Sequence, residues 1–232
     1  MLYDNATEFY RAQNGEPIGF FWGYKTAGIF QNEAEVQNYK SNGKVLQPDA
    51  QPGDVKYVDV NGDGVIDTND KGNVGDPNPD FTFGFNINLA YKNFDFALNA
   101  SGMAGNDIVQ SYRNIANRFS NYTTSVFDRW HGEGTSNSMP RVTEDGKNWS
   151  NFSDLYVHDG SFLRISNITL GYDFAKLIKS KYISSLRLYG QIQNLYTFTH
   201  YDGMDPEIGY GVDSFSSGID LSLIHISEPT RL

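Results

Sequence analysis

From Phe81 to Ser101 the side chains alternate in character with a period of two residues. Phe81, Phe83, Phe85, Ile87, Leu89 and Tyr91 fall on one side, and Thr82, Gly84, Asn86, Asn88 and Ala90 on the other. After Lys92-Asn93 the pattern resumes, with Phe94, Phe96, Leu98 and Ala100 opposite Asp95, Ala97, Asn99 and Ser101. Successive side chains of a strand point to opposite faces, whereas a helix would scatter these residues around its axis. The stretch therefore predicts a β-hairpin turned at Lys92-Asn93.

A second pair follows. Ile168, Leu170, Tyr172 and Phe174 share one face of a run from Phe162, although Arg164 and Ser166 break its early part. From Leu186 to Phe198, Leu186, Leu188, Ile192, Tyr196 and Phe198 face one way and Arg187, Gln191, Gln193 and Thr197 the other, with Tyr189 and Leu195 as exceptions. Eleven to thirteen residues at about 3.3 Å each span roughly 36–43 Å, against about five or six residues for an ordinary soluble strand. A tilted strand of about 9–11 residues crosses a bilayer, apolar outward and small or polar inward, with rings at its ends. The expected fold class is all-β: a partial antiparallel transmembrane β-barrel with long extracellular loops. A two-sheet sandwich, which also hides an alternating aromatic face, is the competing architecture. Connection lengths favour the barrel. Two residues join the first pair and a compact turn with Lys176, Lys179 and Lys181 joins the second, whereas residues 102–161 form one long Asn/Ser/Gly-rich link. Short turns on one side and long loops on the other is the asymmetry of outer-membrane barrels. The basic turn, with Arg187, is expected to anchor the inner rim.

Composition sets the exclusions. A formal charge of −10 disfavours nucleic acid as a partner. The absence of cysteine removes disulfides, thiolate metal sites and thiol nucleophiles. A mean hydropathy of −0.50 with frequent charges leaves no run for a spanning helix. The four histidines, at 131, 158, 200 and 225, lie singly, and no nucleophile elbow, zinc helix or phosphate loop occurs, so no catalytic residues are assigned. What the polar picture leaves unexplained is an aromatic content of 15 %.

Much of the negative charge sits in one stretch. Asp59, Asn61, Asp63, Val65 (through its carbonyl), Asp67 and Asp70 occupy positions 1, 3, 5, 7, 9 and 12 of a calcium-loop spacing, with Gly64 at the sharp turn. Asp in place of Glu at the last position shortens the bidentate arm. Calcium, if held, would be structural; the competing expectation is an Asx-rich surface turn. In the long link, Tyr122, Trp130, Trp149 and Tyr156 are candidates for stacking on a ligand or meeting a partner, against internal packing of the loop. Apolar residues from Ile108 to Phe119 fall at helical spacing and predict a short amphipathic helix.

Four blocks, in order, carry a resemblance. They are Gly15-Glu-Pro-Ile-Gly-Phe-Phe-Trp-Gly-Tyr-Lys-Thr-Ala-Gly-Ile-Phe-Gln31, the run Gly53 to Asp67 followed by Gly75-Asp-Pro-Asn-Pro-Asp-Phe-Thr-Phe-Gly-Phe85, the run Asp159 to Tyr172, and Gln193-Asn-Leu-Tyr-Thr-Phe-Thr199 followed by Asp205-Pro-Glu207. Together they resemble the C-terminal part of SusC/RagA-type TonB-dependent outer-membrane transporters. Ala27 stands where an acidic residue is common in that family. The resemblance implies late strands of a large plugged barrel, about 22 strands in all, in the outer membrane of a Gram-negative, Bacteroidetes-like cell, importing glycan oligomers or peptides with energy delivered through TonB. It implies as partners the remainder of the barrel and its plug, a SusD-like surface lipoprotein, the TonB complex and outer-membrane lipid. The expected organisation is an outer loop region over 1–80, barrel strands and loops over 81–221, and a non-native tail over 222–232, which is similar to a translated sequencing-adapter peptide. Met1 lacks a secretory leader after it, so the chain reads as a fragment. Without the plug, the TonB-contacting segment and the last strand, it is expected not to transport alone. The alternative is a soluble, calcium-stabilised, carbohydrate-binding β-domain.

Overall fold

The computed structural model describes residues 9–111, 124–143, 148, 151–178, 182–183, 185–208 and 218–221. The chain forms two compact units, one from residues 1–78, 107–158 and 208–232, the other from 79–106 and 159–207.

The second unit is one antiparallel sheet of four long strands: Phe81–Tyr91, Phe94–Ala104, Phe162–Asp173 and Arg187–Thr199. In space they run fourth, third, second, first, each hydrogen-bonded to its neighbour. The Lys92-Asn93 turn sets the first register, pairing Tyr91 with Phe94 and Phe81 with Ala104. The predicted apolar side chains lie together on one face; Phe85, Leu89, Leu170 and Tyr196 keep 55–60 % of their surface exposed. Among the described residues of this unit nothing covers them, so the sheet is a wall with two faces rather than half of a sandwich core.

The break at Arg164 and Ser166 has a structural cause. Ile165 pairs with Ala100 and Asn167 with Asn99, so Ser166 is an extra residue with no opposite number on the second strand. One inserted residue inverts the parity of everything before it. Leu163 and Ile165 thereby join Ile168, Leu170 and Tyr172 on the apolar face, and Arg164 passes to the polar one. The fourth strand compensates with two extra residues, Asn194 and Leu195, keeping its own parity intact; Asn194 takes φ 48° there.

The first unit has a packed interior. Phe9, Phe21, Val109, Phe152, Tyr156 and Ile219 form its largest cluster, drawing on all three chain segments. Phe152 is the hub, stacked on Phe9 at 4.6 Å and edge-on to Phe21 at 6.4 Å. Gly23 lets this ring approach: a Cβ there would lie 2.7 Å from the Phe152 ring and 2.9 Å from its carbonyl oxygen. Tyr24, Ile29, Val55 and Tyr57 make a second cluster, and Phe30, Val36 and Ala50 a third under the helix Glu33–Asn38, which Asn32 caps by accepting from the Glu35 amide at 2.9 Å.

The helix expected beyond Ile108 is corrected over its first part. Asp107–Ser111 is a strand paired in parallel with Ile219–Leu221, placing Val109 and Ile219 in the main cluster. Tertiary pairing overrides a local period that was equally compatible with a turn of helix. Residues 112–119 and the tail over 222–232 lie outside the described residues.

Candidate functional site

The polar face of the sheet is lined with amides and hydroxyls that bond to one another. Asn86 donates to Asn99 at 2.7 Å, Asn88 donates to Asn86, and the Ser101 and Ser166 hydroxyls meet at 3.3 Å. Charge enters at the two ends of this face, already paired. Near the tight turns, Arg187 donates to both carboxylate oxygens of Asp95, at 2.8 and 2.5 Å. Gly171 makes room for that pair, since a Cβ there would sit 2.5 Å from the Asp95 carboxylate. Arg187 therefore turns toward the polar face; Lys179 and Lys181, expected to share its basic rim, lie outside the described residues.

At the opposite end Arg164 is the centre of a larger network. Its Nε donates to Thr197 Oγ1 at 3.0 Å, one terminal nitrogen to Glu207 at 2.5 Å, and the other to Asp205. The two carboxylates flank Pro206, which is buried, and the Glu207 amide donates back to Asp205 at 2.8 Å. Sequence reading missed this site, although both signals were present: the parity break at Arg164 and the Asp205-Pro-Glu207 block.

The acidic loop is knitted by its own carboxylates. Asp59 accepts from the Gly62 and Gly64 amides at 2.7 and 3.0 Å, Asp63 from Val65 at 2.9 Å, and Asp67 from Asn69 at 2.7 Å. Asp70, fully buried, accepts from Val60 at 2.9 Å and Asp67 at 2.8 Å. Asn61 donates to Asp63. Partial desolvation would raise the Asp59 carboxyl, but bonds from Ser41 and the amides of Gly64, Gly62 and Asp63 hold it below the usual carboxylate range. Among the described residues no group of three or more acidic or histidine side chains is placed to hold a metal ion.

Of the four ring candidates, Tyr122 and Trp149 lie outside the described residues. Tyr156 is buried in the main cluster and donates to the Asn148 carbonyl at 2.8 Å, and Trp130 packs against the second cluster. Beside them Asp54, 1 % exposed, accepts from Arg141 Nε at 2.7 Å, Asn148 at 3.0 Å and the Gln51 amide at 2.9 Å. Burial would raise its carboxyl, yet these bonds lower it below the usual range. An open cleft of about 240 Å³ adjoins it, lined in part by Gln47, Ala50, Tyr57 and Asn148. That is smaller than pockets that enclose ligands of ordinary size, about 300–1,000 Å³.

No protein-family model matches the chain. Among curated proteins it is similar to TonB-dependent receptor P3 of Formosa agariphila, with 35 % identity over 87 % of this chain and 20 % of the relative. It is also similar to the TonB-dependent receptor SusC of Bacteroides thetaiotaomicron, with 32 % identity over 77 % of this chain and 17 % of that protein. The chain is thus similar over most of its length to the SusC/RagA-type TonB-dependent receptors. It spans about a fifth of the length of these receptors. The fold agrees: the structure of the RagAB peptide importer in the open-open state superposes with a TM-score of 0.61 at 17 % identity, covering 91 % of this chain and 22 % of that one. In the fold shared with that importer the four strands are a piece of barrel wall, and the Arg164 network marks the end of the wall away from the tight turns.

Proposed function

We propose that this chain is part of the wall of an outer-membrane importer that takes up glycan oligomers or peptides with energy delivered through TonB. The observation that supports it is the uncovered apolar face set against an amide-lined face. Rings and aliphatic side chains meet lipid at no cost, while the opposite face offers hydrogen bonds to a polar solute or to the plug. In this reading the outer membrane is the location, and the rest of the barrel, its plug and a SusD-like lipoprotein are the partners. The four strands alone carry no solute, because their open edges leave backbone groups unpaired in lipid. The reading assigns the chain no catalytic role. A soluble carbohydrate-binding domain would need a second sheet over Phe83, Phe85, Phe96 and Leu98, and among the described residues none of the four is buried.

The test uses the full-length gene in its native host. The product should fractionate with the outer membrane, migrate differently on gels with and without heating as folded barrels do, and support uptake of an oligosaccharide or peptide only when TonB is present. A soluble product, or uptake unaffected by loss of TonB, overturns the reading.

A further inference from the structure

The segment following the fourth strand does not leave the sheet freely. Thr199 Oγ1 donates to the Ser161 carbonyl at 2.9 Å, the Tyr201 amide donates to Thr199 Oγ1 at 3.0 Å, and Tyr201 is itself buried. Past Tyr201 the chain turns so that Asp205 and Glu207 both reach the Arg164 guanidinium. Arg164 stands on the polar face only because of the Ser166 bulge, and its neighbour there across the ladder is Thr197. Its side chain is 16 % exposed, lies over the Phe162 ring at 5.5 Å and donates to Thr197, so the sheet itself supplies part of its fixing. A planar guanidinium can serve two carboxylates and a hydroxyl at once, where an ammonium would hold them as a point charge.

We infer that Arg164 is the positioning residue for residues 201–207, drawing this segment across the polar face at the end of the wall away from the tight turns, so that it narrows the barrel mouth instead of standing clear of it. The inference rests on the transporter reading, which makes the polar face the lumen. It gives the bulge a purpose: without Ser166 the guanidinium would point into lipid and the segment would have no anchor on the inner side. It also gives the Asp205-Pro-Glu207 block a purpose, with the buried proline stiffening the spacing between two carboxylates that bind one cation.

The test places spin labels at Thr82, on the polar face of the first strand, and at Met204, in the full-length receptor freed of other cysteines, and measures the distance distribution between them in outer-membrane preparations. The unaltered receptor should give a single narrow distribution. Arg164→Gln, and separately the pair Asp205→Asn with Glu207→Gln, should raise the population outside that peak roughly tenfold, the worth of charge-assisted hydrogen bonds. Arg164→Glu should do the same, and adding Asp205→Arg with Glu207→Gln should restore the narrow peak, which loss of packing alone would not do. Heat-modifiable migration is checked for every variant. Should Arg164→Gln fail to assemble, the carboxylate pair carries the test. An unchanged distribution in the carboxylate variant, or no restoration by the reversal, overturns the inference. An unaltered receptor that forms no heat-modifiable barrel instead overturns the transporter reading beneath it.

Discussion

Asp54 shows how single groups hold the loop unit together. Its carboxylate joins the nearby Gln51 amide to Arg141 and Asn148, which lie far along the chain, through three hydrogen bonds. A carboxyl whose folded pKa is depressed adds stability above its unfolded value, about 3.9, and loses that contribution as pH falls through the lower folded value. Glu35, where burial opposes but Lys56 and the Gln31 amide prevail, acts in the same sense. The loop unit should therefore loosen below about pH 4, seen as lower protection of the Val55 and Arg141 amides once the intrinsic pH dependence of exchange is divided out. Asp54→Asn at neutral pH should cost about 2 kcal/mol, because it strips the partner from a partly exposed Arg141, and should speed the same amides by roughly thirtyfold. Unchanged exchange would mean the network is ornamental. Phe152→Ala, which empties the hub of the main cluster, should cost about 3–5 kcal/mol locally. The acidic loop gives the opposite kind of expectation: with its carboxylates bonded to its own amides, calcium or a chelator should leave the exchange of Val60 and Asp67 unchanged, whereas strong protection by calcium would show the metal site that the ligand spacing suggests.

At the scale of single elements the Ser166 bulge is the informative feature. Alternation placed the turn and register of the first hairpin, because a two-residue turn leaves the register no freedom. It stopped the second strand at Ser101, where Gly102 and Met103 break the pattern, but the pairing goes on to Ala104. The third strand was legible only in its second half, since a bulge looks in sequence like noise in the pattern. The same holds for Asp107–Ser111, whose partner Ile219–Leu221 lies far along the chain and leaves no local trace. Deleting Ser166 should turn Arg164 into lipid and abolish the heat-modifiable folded form, while Ser166→Ala, which keeps the residue count, should change stability by less than about 0.5 kcal/mol. Equal behaviour of the two variants would contradict the parity account.

For the whole molecule, the fold class was readable because lipid and lumen impose opposite chemistry on alternate side chains over lengths no soluble strand needs. The interleaving of 1–78 with 107–158 was not readable, since the clusters that join them consist of ordinary rings and aliphatics with no period to betray their partners. The Arg164 network fell between these cases, with its residues visible and their meeting hidden by the bulge. The central claim is that the two faces of the wall meet different surroundings, and photocrosslinking tests it most directly. A benzophenone side chain placed in the full-length receptor at Leu89, Leu170 or Tyr196 should yield lipid adducts when native outer membranes are irradiated, and at Asn88, Thr169 or Gln191 it should yield none. Lipid adducts from the second set, or none from the first, would contradict the account.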